Sequence, residues 1–204
     1  MSDSKDLRLL MARLGEALNS THLPYMVIGG QAVNHHGRVR ATEDIDITLA
    51  VSPLDWRRVQ TVVDQLDLKP LVDDVHEWVL RTHVLPTNTA GSSLRIDMSF
   101  TDSPYEAQAI ARGDDVIIDG VHVRFASVED LLIHKIIAWR DVDRGDVHAI
   151  LLKNPDADLD DVRHWLSLLS EAVAIDLLDR LDDAVRATRD TGPAGRRPRH
   201  YPTH

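Results

Sequence analysis

Residues 27–51 constrain the fold more than any other part of the sequence. This segment opens with a short apolar run that ends at Gly29-Gly30. It closes with a longer run in which Asp44 and Asp46 alternate with apolar residues. Because alternate residues of a strand share one face, the spacing predicts a strand with both carboxylates on the face opposite its apolar side chains. Aspartate is unfavourable in strands, since its side chain competes for backbone hydrogen bonds, so two in one strand indicate a specific role.

A second alternating run, Leu94–Phe100, places Asp97 on the polar face of another predicted strand. If the two strands are neighbours in the sheet, Asp44, Asp46 and Asp97 converge on one face. Three clustered carboxylates repel one another unless cations lie among them, and oxygen ligands in this number suit Mg²⁺ or Mn²⁺. Two such ions about 3.5–4 Å apart are an established arrangement for in-line phosphoryl transfer. The alternative is that these acids simply line the solvent face of an antiparallel sheet.

The glycine pair Gly29-Gly30 favours the functional interpretation of these acids. A Gly-Gly turn between a buried strand and a helix lets backbone N–H groups approach phosphate oxygens at the N-terminus of the helix. On its own the pair is typical of a tight turn, and the sequence contains neither a P-loop motif nor Gly-x-Gly-x-x-Gly. Its position shortly before the acid-x-acid strand makes phosphate binding the stronger hypothesis.

The remaining patterns predict an α+β domain followed by a C-terminal helical part. Strands and helices alternate irregularly as far as a β-hairpin that turns at Asp119-Gly120, which indicates a mixed sheet flanked by helices. Residues 76–85 alternate weakly and predict a strand, whereas residues 127–188 are predicted to be helical. We therefore predict an α+β domain over residues 1–126, a helical part packed on it over 127–190, and a flexible tail over 191–204.

The composition excludes several classes of protein. A net charge of −10 argues against a protein whose main task is to coat nucleic acid, although it leaves room for a local basic groove. The absence of cysteine excludes disulfides and thiolate metal sites and fits a reducing compartment. The sequence shows no signal pattern and no apolar run long enough to span a membrane. These features predict a cytoplasmic protein without a membrane partner.

One set of motifs resembles the DNA polymerase β-like nucleotidyltransferase superfamily. It comprises a Gly-Gly turn, an acid-x-acid strand and an isolated acid on a later strand. The matching residues are Gly29, Gly30, Arg40, Thr42, Asp44, Asp46 and Asp97. The resemblance covers roughly residues 25–150 and implies the polymerase β-like fold. It also implies a metal-dependent enzyme that transfers a nucleoside monophosphate from an NTP, such as ATP, to an acceptor hydroxyl and releases pyrophosphate.

The same resemblance implies a role for each of these residues. Asp44 and Asp46 would hold two Mg²⁺ or Mn²⁺ ions, and Asp97 would ligate one of them and take the proton from the acceptor hydroxyl. The backbone amides of Gly29 and Gly30 would orient the triphosphate. The other nucleotide-binding residues that it implies are Arg40, Thr42 and Lys135.

The helix predicted from Ser127 to Arg140 resembles a further feature of bacterial nucleotidyltransferase toxins of the AbiEii kind. In those proteins a lysine-bearing helix precedes an Arg-x-x-Asp-x-x-Asp stretch, which here is Arg140, Asp143 and Asp146. Lys135 falls in the middle of the apolar face of this helix, where an ammonium group needs a partner. The resemblance implies contact with the nucleotide phosphates, and a salt bridge to Asp143 or Asp146 is the alternative.

The sequence leaves the acceptor open. A tRNA-modifying toxin of a toxin–antitoxin system, with an antitoxin as its partner, needs a basic surface, which Arg38, Arg40, Arg57 and Arg58 could supply. A small-molecule nucleotidyltransferase of the antibiotic-inactivating type would tolerate the acidic charge. Two further hypotheses are a two-metal nuclease and a non-catalytic nucleotide-binding partner module. The intact set of three acids counts against the last of these.

Overall fold

The chain folds into two compact units. The computed structural model describes residues 2–42, 44–89 and 94–191. The first unit runs from Met1 to His35 and from Val39 to Ser127, and the second contains His36–Arg38 and the chain from Val128 onward. Residues 192–204, which make up nearly all of the predicted tail, lie outside the described residues. In the described ranges, every helix falls short of the length or the apolar character that crossing a bilayer requires.

A mixed sheet forms the centre of the first unit. Its strands are β1 (Tyr25–Ile28), β2 (Asp44–Leu49), β3 (Leu68–Pro70), β4 (Val84–Thr89), β5 (Arg95–Phe100), β6 (Asp114–Ile118) and β7 (Val121–Phe125). Among the described residues they are ordered β3-β4-β5-β2-β1-β7-β6. The pairs β2–β5 and β1–β7 are parallel, whereas β1–β2, β3–β4, β4–β5 and β6–β7 are antiparallel. This arrangement confirms the predicted α+β class.

Helices flank the strands of the first unit. They are α1 (Ser2–Ser20), α2 (Gly29–His36), a 3₁₀ helix (Pro53–Val59), α3 (Gln60–Gln65), α4 (Val75–Thr82) and α5 (Pro104–Arg112), of which α2 ends in the second unit at His36. The side chain of Ser52 accepts a hydrogen bond from Leu54 N at 3.3 Å and caps the 3₁₀ helix. Helix α1 packs against β6, β7 and α3. This helix therefore lies against the end of the sheet that β7 and β6 form.

The structure corrects the prediction of a strand over residues 76–85. Most of that segment is α4, and the chain becomes extended only at β4. The side chain of Asp74 accepts a hydrogen bond from Glu77 N at 2.9 Å and caps the helix. Val75 and Val79 stand one helical turn apart, and Val79 is fully buried. The weak alternation in the sequence was therefore misleading, because apolar and polar residues can also alternate over a few positions of a short helix.

The side chains of β2 and β5 divide between two faces, as the alternation predicted. The buried apolar residues of the two strands are Ile45, Ile47, Leu49, Ile96, Met98 and Phe100. On the other face Asp44 is exposed, and Asp46 and Asp97 are half-buried. A slip of one residue would move every apolar side chain out of the core, and each costs roughly 1.5–3 kcal/mol to expose. The apolar face therefore holds the acids in one register.

The second unit is helical, as predicted. Its helices are α6 (Val128–Ala138), α7 (Asp141–Lys153), α8 (Leu159–Val173) and α9 (Leu177–Thr191). Helix α6 packs against the other three. The side chain of Arg180 on α9 donates from one nitrogen to the carbonyl oxygens of Ile136 and Ile137 at 2.9 and 3.0 Å. These contacts satisfy backbone acceptors at the end of α6 that the helix itself leaves unpaired.

Candidate active site

Strands β2 and β5 bring the predicted acids together in the first unit. The two strands are parallel neighbours, and their register pairs Asp46 with Asp97 and Asp44 with Arg95. Residues at opposite positions of neighbouring strands point to the same face of the sheet. All three carboxylates therefore extend from the face opposite the apolar core. This is the arrangement on which the sequence-based hypothesis of a metal site depended.

Gly29 makes room for the carboxylate of Asp46. The preceding residue, Ile28, pairs with Asp46 across β1 and β2, so the turn after β1 passes beside this side chain. Gly29 has a φ of +64°, which is the left-handed region that favours glycine. A Cβ at this position would lie 2.7 Å from Asp46 Cγ and would overlap Oδ2. Both the backbone conformation and the neighbouring carboxylate therefore require a glycine here.

Gly29→Ala is expected to displace the carboxylate of Asp46 and to weaken Mn²⁺ binding. The left-handed backbone adds a strain of roughly 1–3 kcal/mol to the loss of space. Calorimetric titration with Mn²⁺ and thermal unfolding measure the two effects. The matched control is Gly120→Ala, because Gly120 has a φ of +85° but a Cβ there would meet nothing within 4 Å. If the two variants bind Mn²⁺ equally well, the close approach to Asp46 has no part in the site.

Gly30 lies against Thr42 in the same way. A Cβ at Gly30 would lie 2.6 Å from Thr42 Oγ1. The backbone N–H of Arg40 donates to Asn34 Oδ1 at 2.8 Å, which ties the segment before β2 to helix α2. Gly29, Gly30 and Thr42 therefore lie together where α2 begins, and Arg40 is tied to the later part of the same helix.

Arg95 is a residue of this site that the sequence analysis did not identify. Its Nε donates to Asp97 Oδ1 at 2.7 Å. This hydrogen bond raises the pKa of Arg95. Partial burial opposes the increase, and Coulomb attraction to Asp97, Asp44 and Asp46 adds to it. Arg95 is thus a cation bonded to one of the three carboxylates and attracted by the other two. Its position, two residues before Asp97 on the same face of β5, was visible in the sequence as a possible partner for them.

The donor set of this site fits Mg²⁺ or Mn²⁺. It consists of carboxylates on one sheet face, and hard divalent cations prefer oxygen ligands of this kind. In the described part of the chain, however, the ligand oxygens of Asp44, Asp46 and Asp97 do not all lie within 4.8 Å of one another. Asp46 lies against Gly29, and Asp97 is bound to Arg95. A cation shared by all three acids therefore requires at least one of the carboxylates to turn toward the others.

Lys135 forms a buried ion pair within the second unit. Its Nζ lies 2.9 Å from Asp143 Oδ1 and 3.0 Å from Asp146 Oδ2. The side chain of Lys135 is 5% exposed, and those of both aspartates are 0% exposed. The structure thus shows the salt bridge that the sequence left as the alternative, and it shows it to both acids. Contact between Lys135 and nucleotide phosphates stays a prediction.

Asp143 also receives hydrogen bonds from Arg140. Arg140 donates from its backbone N and its Nε to Asp143 Oδ2, at 3.0 and 2.7 Å, and from a terminal nitrogen to Oδ1 at 3.2 Å. Burial by itself would raise the pKa of Asp143, but the hydrogen bonds from Arg140 and Lys135 outweigh it and lower the pKa below its ordinary value. Asp143 is therefore held as a charged group inside the helical unit.

A comparison with protein families identifies one match to the chain. The family model described as "Nucleotidyltransferase of unknown function (DUF6036)" matches residues 5–176. Among curated proteins, none matches the chain.

Several solved structures share the fold. The solution structure of the antibiotic-resistance factor ANT(2'')-Ia is 18% identical with a TM-score of 0.57, and the match covers 84% of this chain and 95% of that one. A crystal structure of ANT(2'')-Ia in complex with adenylyl-2''-tobramycin is 16% identical with a TM-score of 0.51, covering 76% and 92% of the two chains. An antigenic nucleotidyltransferase-like protein from Paracoccidioides brasiliensis is 18% identical with a TM-score of 0.52, covering 91% and 94%. At identities this low, the TM-scores above 0.5 show a shared fold alone.

Proposed function

The chain belongs to the DUF6036 family of nucleotidyltransferases. From this premise we propose that it transfers a nucleoside monophosphate from an NTP to an acceptor hydroxyl, and that Asp44, Asp46 and Asp97 form the site of this reaction. The observation that carries the proposal is the parallel register of β2 and β5, which sets Asp46 beside Asp97 on one face. The close approach of Gly29 to Asp46 supports it, because it joins the glycine turn and the acids into one site. We assign this reaction to residues 1–126.

In the proposed reaction the three acids have different tasks. Asp44 and Asp46 hold Mg²⁺ or Mn²⁺, which when bound neutralises charge on the triphosphate and orients it. Asp97 shares in this ligation and accepts the proton of the acceptor hydroxyl. A bond forms between the acceptor oxygen and the α-phosphorus, the bond from that phosphorus to the bridging oxygen breaks, and pyrophosphate leaves. Catalysis comes mainly from positioning and charge neutralisation.

The residues around the glycine turn are proposed to bind the nucleotide. The amides of Gly29 and Gly30 lie in the first turn of α2, where backbone N–H groups have no partner within the helix and can donate to phosphate oxygens. Arg40 adds a positive charge, and Thr42 adds a hydroxyl next to Gly30. A bulkier residue in place of Gly29 or Gly30 would displace Asp46 or Thr42, respectively.

We propose a small molecule as the acceptor, which would make the protein similar in function to antibiotic nucleotidyltransferases. The net charge of −10 disfavours a polyanionic acceptor and tolerates a cationic one. The shared fold with ANT(2'')-Ia, one structure of which contains adenylyl-2''-tobramycin, makes aminoglycosides the first acceptors to test.

A tRNA acceptor is the second candidate, and with it a role as a toxin of the AbiEii kind that is controlled by an antitoxin. The observation that favours it is local positive charge in the first unit. Arg57 and Arg58 are exposed on the 3₁₀ helix, and Arg57 lies over the ring of Trp56 at 5.3 Å. Exposed guanidinium groups can pair with the phosphates of a nucleic-acid backbone.

Incubation with each α-³²P-labelled NTP and Mg²⁺ tests the proposed activity and separates the two acceptors. One set of reactions contains a panel of aminoglycosides, and another contains total tRNA. Label in an aminoglycoside supports the first candidate, and label at tRNA ends supports the second. The double variant Asp44→Asn plus Asp46→Asn should abolish either signal. Label that persists in this variant would contradict the assigned site.

Mn²⁺ should bind weakly to the protein alone and more tightly with nucleotide, because the phosphates complete the ligand shell. Asp44→Asn plus Asp46→Asn is expected to remove this binding in calorimetric titrations. The matched control is Asp64→Asn plus Asp67→Asn, which removes the same charge from exposed positions of the same unit. If metal affinity is the same in the two double variants, the acids of β2 do not form a metal site.

A further inference from the structure

The hydrogen bond from Arg95 to Asp97 engages a carboxylate that the proposed metal site needs. Arg95 Nε and Asp97 Oδ1 are 2.7 Å apart, and the two side chains are 46% and 23% exposed. The guanidinium also interacts electrostatically with Asp44 and Asp46. A divalent cation shared by these acids would therefore meet a positive charge within the site itself.

Two effects make Arg95 and a divalent cation competitors. A hydrogen-bonded guanidinium occupies a lone-pair direction of the carboxylate and holds its orientation. The like charges also repel: a charge of +1 and a charge of +2 about 6 Å apart in a water-like medium repel enough to change affinity roughly tenfold. In the described part of the chain the ligand oxygens of the three acids do not all lie within 4.8 Å of one another, so at least one of these carboxylates has to turn before all three can share a cation. Asp97 is the one that Arg95 holds by a hydrogen bond.

We propose that Arg95 makes metal loading of this site depend on the nucleotide. In the absence of nucleotide, Arg95 holds Asp97 and disfavours the cation. A bound triphosphate supplies oxygens that accept the hydrogen bonds of Arg95, and guanidinium groups bind phosphate as readily as carboxylate. Asp97 is then released to the metal. This inference rests on the proposed function, since it assumes that Asp44, Asp46 and Asp97 hold the metal.

The physical consequence is a coupling between two ligands. A nucleotide that removes Arg95 from Asp97 increases metal affinity, and by linkage the metal increases nucleotide affinity by the same factor. The reactive ion arrangement would then form only when the substrate is present. Arg95 acts in this scheme as a positioning residue for Asp97.

Titration of the full chain with MnCl₂ tests the proposal without measuring activity. Arg95→Gln is expected to bind Mn²⁺ alone roughly tenfold more tightly than the unmodified protein. The effect should shrink as KCl is raised, because salt screens the repulsion. The affinity for α,β-methylene-ATP is then measured in EDTA and in saturating Mn²⁺. The affinity in Mn²⁺ divided by the affinity in EDTA should be roughly tenfold lower in Arg95→Gln than in the unmodified protein.

Two further variants make the result specific. Arg95→Lys keeps the positive charge and should bind Mn²⁺ within about threefold of the unmodified protein. Arg8→Gln breaks an ion pair with the same 2.7 Å spacing between Nε and Asp119 Oδ1, far from β5 in sequence, and should change neither quantity. Unchanged Mn²⁺ binding in Arg95→Gln overturns the proposal. So does weaker binding, which would show that Arg95 helps Asp97 to hold the metal.

The outcomes also separate this inference from the proposed function. If Mn²⁺ binding depends on Asp44 and Asp46 but not on Arg95, the metal site stands and the inference about Arg95 fails. If Mn²⁺ binding does not depend on Asp44 and Asp46, the proposed function itself fails.

Discussion

Asp97→Asn is expected to lower kcat by roughly 10²–10⁴-fold, the usual contribution of a positioned general base. The substitution keeps the shape of the side chain and removes its charge. Affinity for the NTP should stay within about tenfold, because Asp97 acts mainly on the group that reacts in the transition state. Steady-state turnover with the acceptor identified by labelling gives kcat, and nucleotide titration gives the affinity.

Asp102→Asn is the matched control for this variant. It makes the same substitution at an exposed position just after β5 and should leave kcat unchanged. The ion pair of Asp97 with Arg95 is partly exposed, so its loss should cost no more than about 1 kcal/mol of stability. Near-normal turnover in Asp97→Asn would remove Asp97 from the role of base.

Lys135→Met is expected to lower the free energy of unfolding by roughly 3–5 kcal/mol, the usual cost of removing one partner from a buried ion pair. The substitution fills a similar volume but removes the ammonium between Asp143 and Asp146, both of which are fully buried. Chemical denaturation gives the loss of stability. Lys69→Met is the matched control, because Lys69 pairs with Asp67 at the surface and its loss should cost about 1 kcal/mol or less.

Nucleotide binding by Lys135→Met decides between the two roles considered for this lysine. If Lys135 is a structural ion-pair partner, affinities for NTP and NMP should change equally or not at all. A loss that is larger for NTP than for NMP would support phosphate contact, because the triphosphate carries more charge. A large loss of stability with no difference between NTP and NMP would reject that contact.

Much of the first unit could be predicted because hydrophobic alternation is a local property. The run around Asp44 and Asp46 predicted β2 and its two faces, and the run around Asp97 did the same for β5. Prediction failed at residues 76–85 and did not identify β3 or β4 as strands. Strand β3 is only three residues long, and a segment that short shows no clear repeat.

In the candidate site, too, the sequence did not predict which individual side chains contact one another. The sequence identified the acids and the glycine turn, but it could not identify Arg95 as the partner of Asp97 or the overlap that a Cβ at Gly29 would make with Asp46. It also left Lys135 between phosphate contact and a salt bridge, whereas the structure shows the ammonium between two aspartates. Each of these contacts depends on side-chain positions that spacing alone does not specify.

The sequence by itself determined which side chains share a face, because the repeat of a strand or a helix is set by the backbone within a few residues. It also determined that three acids and a glycine pair are available for one site. Only the tertiary structure decided that β2 and β5 are parallel neighbours with Asp46 beside Asp97. The physical reason is that strand pairing joins segments far apart in the chain, and the burial of their apolar faces against a common core selects both the partner and the register.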